Sequence, residues 1–213
     1  MRSRLTRVEQ VGKNRAAVLD AARRVFLARG YGGATLEAIA EEAGFSKGVV
    51  YSQFASKADL FLALLEERIA ERAAENERIA GKAAGAAALR ALLRNFEADA
   101  RAAAGWARLV IEFRVHALRD PELNRRYADA HARTVDLLAA VLDGLHRRGG
   151  LEPVMPPRSM AEMILAVGAG VTLERAADPG ALPWPALLQM ALGGLGLASP
   201  GERSGSRLRK VAR

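Results

Sequence analysis

No stretch of this 213-residue chain alternates apolar and polar residues with the period of two that a half-buried strand requires. Apolar residues instead recur three and four apart throughout, and the good helix formers Ala, Leu, Arg and Glu dominate. An all-α fold of about nine helices is therefore expected, and the punctuation places their ends. Helix one runs from about Arg15 to Ala28, with Val18, Ala22, Val25 and Phe26 on one face, and stops at Gly30. Helix two follows Thr35 and buries Leu36, Ile39, Ala40 and Ala43; helix three follows Ser46 and buries Val50 and Phe54. Ser56 and Asp59 have the spacing of a capping box, opening helix four, which carries Leu60, Phe61, Leu64 and Leu65 to about Ile79. Helix five spans about Ala86–Ala104 and helix six Trp106–Leu118. Asp120-Pro121-Glu122 supplies a cap, a proline at the first position and a first-turn acid for helix seven, which ends near Arg148. Helices eight and nine are expected at about Ser159–Ala176 and Pro183–Leu197.

Composition removes several function classes. With no cysteine, disulfides, thiolate nucleophiles and Cys-ligated zinc are excluded. His131 and His146 would lie roughly 22 Å apart along one helix, too far to share a metal. No phosphate loop, nucleophile elbow or HExxH occurs, so neither an enzyme nor a cofactor or metal site is expected. The first residues lack the apolar core of a secretory signal, and the apolar runs Met163–Leu173 and Leu182–Ser199 are too short or too interrupted to span a bilayer. A cytoplasmic protein without a membrane partner is the expectation.

The formal charge of +8 sits at the ends: residues 1–15 and 198–213 each carry +4, and the remainder balances to zero. Such ends suit nucleic acid, or act only to solubilise. The division expected is a basic flexible arm at 1–14, an N-terminal helical domain at 15–60, a second, electrically balanced helical domain at 61–197, and a basic disordered tail at 198–213.

Helices two and three, joined by Gly44-Phe45-Ser46, have the form of a helix-turn-helix. Gly44 can close the first helix in the left-handed conformation, Phe45 can plug the angle, and Ser46 can cap the second helix. Lys47 and Lys57 each stand at a helix start, where the helix dipole disfavours a cation. A DNA phosphate at each start would relieve that charge and use the free backbone N–H groups. Gly48 weakens its helix unless something must approach the backbone closely. Tyr51 suits either core or surface, and Gln53 can bond a phosphate or pair with adenine.

The passage AARRVFLARGYGGATLEAIAEEAGFSKGVVYSQFASKADLF resembles the DNA-binding domain of the tetracycline-repressor (TetR) family of bacterial regulators. The matching parts are Phe26…Gly30-Tyr31…Thr35, Ile39-Ala40…Ala43-Gly44, Ser46-Lys47-Gly48, Tyr51…Phe54 and Ser56-Lys57…Leu60. The resemblance implies that Thr35 caps helix two near a phosphate and that Tyr51 and Lys57 grip the backbone. It further implies that Lys47, Gly48, Val49 and Ser52 face the bases. Gln53 departs from the histidine frequent there. The basic arm, with Arg2, Arg4 and Arg7, is expected to add contacts.

The same resemblance implies a homodimer on a palindromic double-stranded operator, with repression relieved by a small-molecule effector. Candidate pocket residues are Trp106, Leu109, Val110, Phe113, His116, Tyr127, His131 and Val167. Aromatics with a few polar groups suit such a pocket, and they equally suit a core. Candidate interface residues are Met163, Ile164, Val167, Val171, Leu187, Leu188, Ala191 and Leu195 on the last two helices. A helical protein–protein adaptor and a peripheral membrane binder are the alternative classes.

Overall fold

The structure is a computed structural model that describes residues 7–83, 85–102, 104–149 and 153–183. The order is α1 (Arg7–Gly33), α2 (Leu36–Ala43), α3 (Lys47–Tyr51), α4 (Lys57–Ala80), α5 (Gly85–Ala102), α6 (Ala104–Ala117), α7 (Pro121–Gly149) and α8 (Pro157–Ala177). The fold is all-α. Among the described residues there is no strand, and no helix is long and apolar enough to cross a membrane. The expected ninth helix, beyond Pro183, lies outside the described residues, as does the expected tail.

Helix ends follow their capping chemistry. Thr35 is extended (φ −130°, ψ 156°) and its Oγ1 accepts the Ala38 N–H at 3.1 Å. Gly44 takes φ 70°, ψ 27°, and its N–H and that of Phe45 reach back to the Glu41 and Ala40 carbonyls, the double bond of a Schellman motif. Ser56 Oγ accepts the Asp59 N–H at 3.1 Å and donates to Asp59 Oδ2 at 2.7 Å. Asp120 Oδ1 accepts the N–H groups of Glu122 and Leu123 at 3.0 and 3.1 Å, with Pro121 at the first helical position. Two expectations need correction. α1 begins at Arg7 rather than Arg15, so the segment Arg7–Asn14 is helical. Ser46 occupies the N-cap of α3, but its hydroxyl makes no capping hydrogen bond.

The chain divides into two compact units. The first comprises residues 1–73 and 103–134, and so takes the first part of α4, all of α6 and the first part of α7 along with the helix-turn-helix. α1 packs against α2 and α6, and α2 against α3. One continuous core runs from Val18 through Ile39, Val50, Phe61 and Phe113 to Tyr127 and Ala130. Its centre is aromatic: Phe61 stacks on Phe113 at 4.2 Å and meets Phe26 and Tyr31 edge-on at 5.5 and 5.4 Å. Exposed ion pairs join helices at the rim, Arg24 to Glu42 and Arg126 to Asp59, where solvent screening keeps their contribution small.

The second unit comprises residues 74–102 and 135–213. Leu89, Val135, Leu142, Met160 and Ala161 form one buried cluster, and Ala80, Ala88, Leu92, Val141 and Leu145 another. The Arg148 guanidinium closes the end of α4 by donating to the Ala80 carbonyl at 3.3 Å.

Candidate nucleic-acid interface

α3 is held by its inner side. Val50 is fully buried and Phe54 nearly so, with the Arg15 guanidinium 4.5 Å from the Phe54 ring centre. At 100° per residue, Gly48 and Ser52 fall opposite Val50 and Lys47 and Tyr51 on its flank, and all four are exposed. Tyr51 is 49 % exposed, which settles it as a surface residue. Ser52 Oγ donates to the Val49 carbonyl at 2.8 Å, and Val49 is half-buried. A Cβ placed on Gly48 would meet only Ser46 Oγ, at 3.9 Å. Nothing inside the unit demands glycine there, although glycine costs a helix roughly 0.5–1 kcal/mol relative to alanine.

The cations on this face are engaged unequally. Lys47 Nζ lies 3.5 Å from Glu37 Oε1, and the Tyr51 hydroxyl donates to the same oxygen at 3.4 Å. Both contacts are long and exposed. Glu37 is held below the usual carboxylate range by its own backbone N–H first, with help from Lys47 and Tyr51. Gln53 is half-buried, and its Oε1 is a buried atom with no hydrogen-bond partner. Thr35 is exposed while capping α2.

Lys57 is engaged differently from Lys47. Its Nζ folds back and donates to the Tyr31 and Ala34 carbonyls at 2.7 and 2.9 Å, 4.6 Å from the centre of the Tyr31 ring. The ammonium thus neutralises the negative end of α1 instead of standing open to solvent at the start of α4. Burial lowers its pKa from the ordinary lysine value.

Tyr31 lies beneath that ammonium, 3 % exposed, against Phe26, Phe61 and Phe113. Burial, with a smaller contribution from Asp59, pushes its hydroxyl up to about 12. A folded pKa above the ordinary value of 10 keeps this contribution whole below pH 10 and removes it as pH rises through about 12. The two-unit shift predicts a loss of roughly 2–3 kcal/mol over that interval. The Tm of the parent should fall relative to that of Tyr31→Phe between pH 10 and 12; a constant difference between the two would show that the hydroxyl carries no such linkage.

The expected effector residues divide between the units. Leu109, Phe113 and Tyr127 are buried in the core of the first unit, with Trp106 and Val110 packed against it. His116 is exposed, its ring 5.0 Å from that of Tyr31, and half-buried His131 stacks on Tyr127 at 6.0 Å. Val167 lies in the second unit and is exposed. The first unit does hold a groove of about 210 Å³, lined by Ala16, Leu19, Asp20, Arg23, Leu64, Glu67, Arg68, Glu71 and Trp106. Of the expected pocket residues, Trp106 alone lines it.

Among the expected interface residues, Met163 and Val167 are exposed on α8. Val171 is buried within its own unit and Ile164 packs on the Met160 cluster, so both face inward. Leu187, Leu188, Ala191 and Leu195 lie outside the described residues.

A short, inwardly anchored helix with exposed polar residues, joined to its neighbour by a Gly-Phe-Ser turn, defines a helix-turn-helix DNA-binding protein. Comparison with known proteins narrows the class. The profile of bacterial regulatory proteins of the tetR family matches residues 18–64, and that of the C-terminal part of BetI-type transcriptional repressors matches residues 82–195. The HTH-type transcriptional repressor AcnR of Corynebacterium diphtheriae is 32 % identical over 145 residues, 67 % of this chain and 68 % of that protein. A tetR-family regulator from Mesorhizobium loti superposes with a TM-score of 0.68 at 23 % identity, covering 90 % of this chain and 96 % of its own. FadR of Bacillus subtilis, solved with stearoyl-CoA, superposes with a TM-score of 0.67 at 20 % identity, covering 86 % and 99 %. The chain belongs to the tetR family and is a transcriptional regulator.

Proposed function

We propose that the protein is a repressor that binds a palindromic operator as a homodimer and leaves it when a small molecule binds. The observation that carries the DNA half is the open face of α3: among the described residues Lys47 and Tyr51 rest on Glu37 alone, and no neighbour crowds Gly48. A phosphate replaces the Glu37 carboxylate as the partner of Lys47 and Tyr51, while Gly48 lets the backbone approach the groove. Thr35 stands beside a second phosphate, and Val49 and Ser52 face base edges. Gln53, with Oε1 turned inward, offers its amide N–H groups to the backbone of the duplex. Lys57 acts from behind, by fixing the end of α1 on which α2 is set.

Dimerisation is supported by α8, which exposes Met163, Ala166, Val167 and Leu173 on a helix whose other face is buried. A two-fold axis there presents two recognition helices to successive major grooves. The Corynebacterium relative is a repressor, which favours repression here. The stearoyl-CoA of the FadR structure makes acyl-CoA thioesters the first effector class to screen, alongside unrelated metabolites.

Selection from random duplex DNA tests the reading. The winning site should contain two half-sites about one helical turn, 34–36 Å, apart. Lys47→Ala should weaken binding to it and reduce the log–log salt slope by about 1.8 for a dimer, roughly 0.9 for each phosphate no longer neutralised. An unchanged slope would remove Lys47 from the interface, and failure to enrich any duplex would sink the DNA reading.

A further inference from the structure

α1 does not end simply. At Gly30 the backbone turns to φ 70°, ψ 173°, a conformation essentially reserved for glycine, before one more turn leads to Ala34 and α2. The kink strips the Tyr31 N–H of a helical acceptor at a residue that is almost fully buried. The acceptor comes from α6 instead: Glu112 Oε2 takes this N–H at 3.0 Å, across 81 positions of sequence. The fit is close, because a Cβ on Gly30 would stand 2.7 Å from the same oxygen. Two helices therefore hold this strap from opposite chemical ends. Lys57 of α4 takes its carbonyls, and Glu112 of α6 takes its free N–H.

We propose that Glu112 is a positioning residue for DNA recognition: from α6 it latches the Gly30–Tyr31 kink and thereby sets α2 and α3 in the placement that grips the duplex. This rests on the reading of α3 as the recognition helix. The packing order is continuous, since α6 lies on α1, α1 on α2 and α2 on α3. On α6, Phe113 and His116 reach the Tyr31 ring at 4.9 and 5.0 Å, so the same helix holds both the ring and the N–H of one residue. A shift of α6 by an ångström or two breaks a directional hydrogen bond while leaving apolar packing largely intact. That makes the latch the element through which the state of α6 sets DNA affinity.

The test compares the full chain, Glu112→Ala and Glu112→Gln, at a temperature where all three are folded. The probe is the duplex selected by the parent. Glutamine keeps an acceptor oxygen of the same reach; alanine does not. Glu112→Ala should bind about ten- to a hundredfold more weakly, as expected for losing a hydrogen bond to a charged group. Its salt slope should match the parent's, because every phosphate keeps its cation. Glu112→Gln should stay within a fewfold of the parent. Hydrogen exchange without DNA should show the Tyr31 amide opening at least about tenfold faster in the alanine variant, with the amides of Val18–Phe26 unchanged. Parental affinity in Glu112→Ala, or equal losses in both variants, would overturn the proposal. A changed salt slope would also overturn it, by making Glu112 part of the contact surface. If the parent enriches no duplex, the DNA reading fails. The exchange arm then still decides whether the latch exists, and an unchanged Tyr31 amide rejects it.

Discussion

Phe61→Ala should destabilise the protein by about 3–5 kcal/mol, the range for removing a fully buried aromatic ring. Phe61 is 0 % exposed and lies against four other rings: Phe113, Tyr31, Phe26 and, stacked at 5.9 Å, Trp106. Such pairs add about 0.5–1.5 kcal/mol each beyond area burial, which places the cost toward the upper end. These partners come from α1 and α6, with Phe61 itself on α4, so one substitution opens the junction of three helices. Partial collapse is limited because the surrounding rings are large and already locked against one another. Urea unfolding followed by circular dichroism should show a lower midpoint with an unchanged m-value, and Tm should fall by roughly 6–20 °C at about 2–4 °C per kcal/mol. Phe61→Leu should cost far less, since part of the ring volume is retained. A loss below about 1 kcal/mol for Phe61→Ala would mean that the neighbours close the gap, and that this ring does not organise the unit.

The same cluster marks where sequence reasoning succeeded and where it stopped. Phe26, Phe61 and Phe113 are each legible as apolar positions on their own helices, because helical spacing reports which face is buried. Which rings of other helices each one touches is decided by residues 30 or more positions away, and local periodicity carries no such information. Helix ends were legible wherever a cap is chemical and local, as at Thr35, Ser56, Asp120 and Gly44. The start of α1 was not, because the apolar stripe beginning at Val18 marks burial rather than helicity. Before it, Gln10, Val11, Lys13 and Asn14 form exposed or half-exposed helix, with Gln10 and Asn14 bonded at 2.9 Å across one turn.

Lys57 is the instructive site residue. Its position at a helix start is a true local signal of an unfavourable charge, and an outside anion is one way to satisfy it. The fold supplies another, since the carbonyls ending α1 form a negative pole within reach of a lysine side chain. Lys47 has no such pole to fold back on and rests on an exposed carboxylate, which is why a phosphate is proposed as its partner. Glu112 could not be singled out at all. It is one acid on a largely apolar helix, and its role depends on a donor freed 81 residues earlier. The one legible half of that contact is Gly30, which reads as a stop; its ψ and its partner do not.

Gly30→Ala should cost about 3–5 kcal/mol in two separable parts. The first is backbone strain: φ 70° with ψ 173° costs a residue bearing a Cβ roughly 1–3 kcal/mol. The second arises because the new methyl would lie 2.7 Å from Glu112 Oε2 and must evict it, forfeiting the hydrogen bond to the Tyr31 N–H at about 1.5–3 kcal/mol. The parts can be told apart by a double-mutant cycle. In a Glu112→Ala background the carboxylate is already gone, so Gly30→Ala should there cost only the backbone share, about 1–3 kcal/mol. The coupling between the two positions should therefore be about 1.5–3 kcal/mol, well above the few tenths seen for independent sites. Denaturant midpoints of the four proteins measure it directly. If Gly30→Ala costs the same in both backgrounds, the carboxylate has no share in holding the kink, and strain alone explains the glycine.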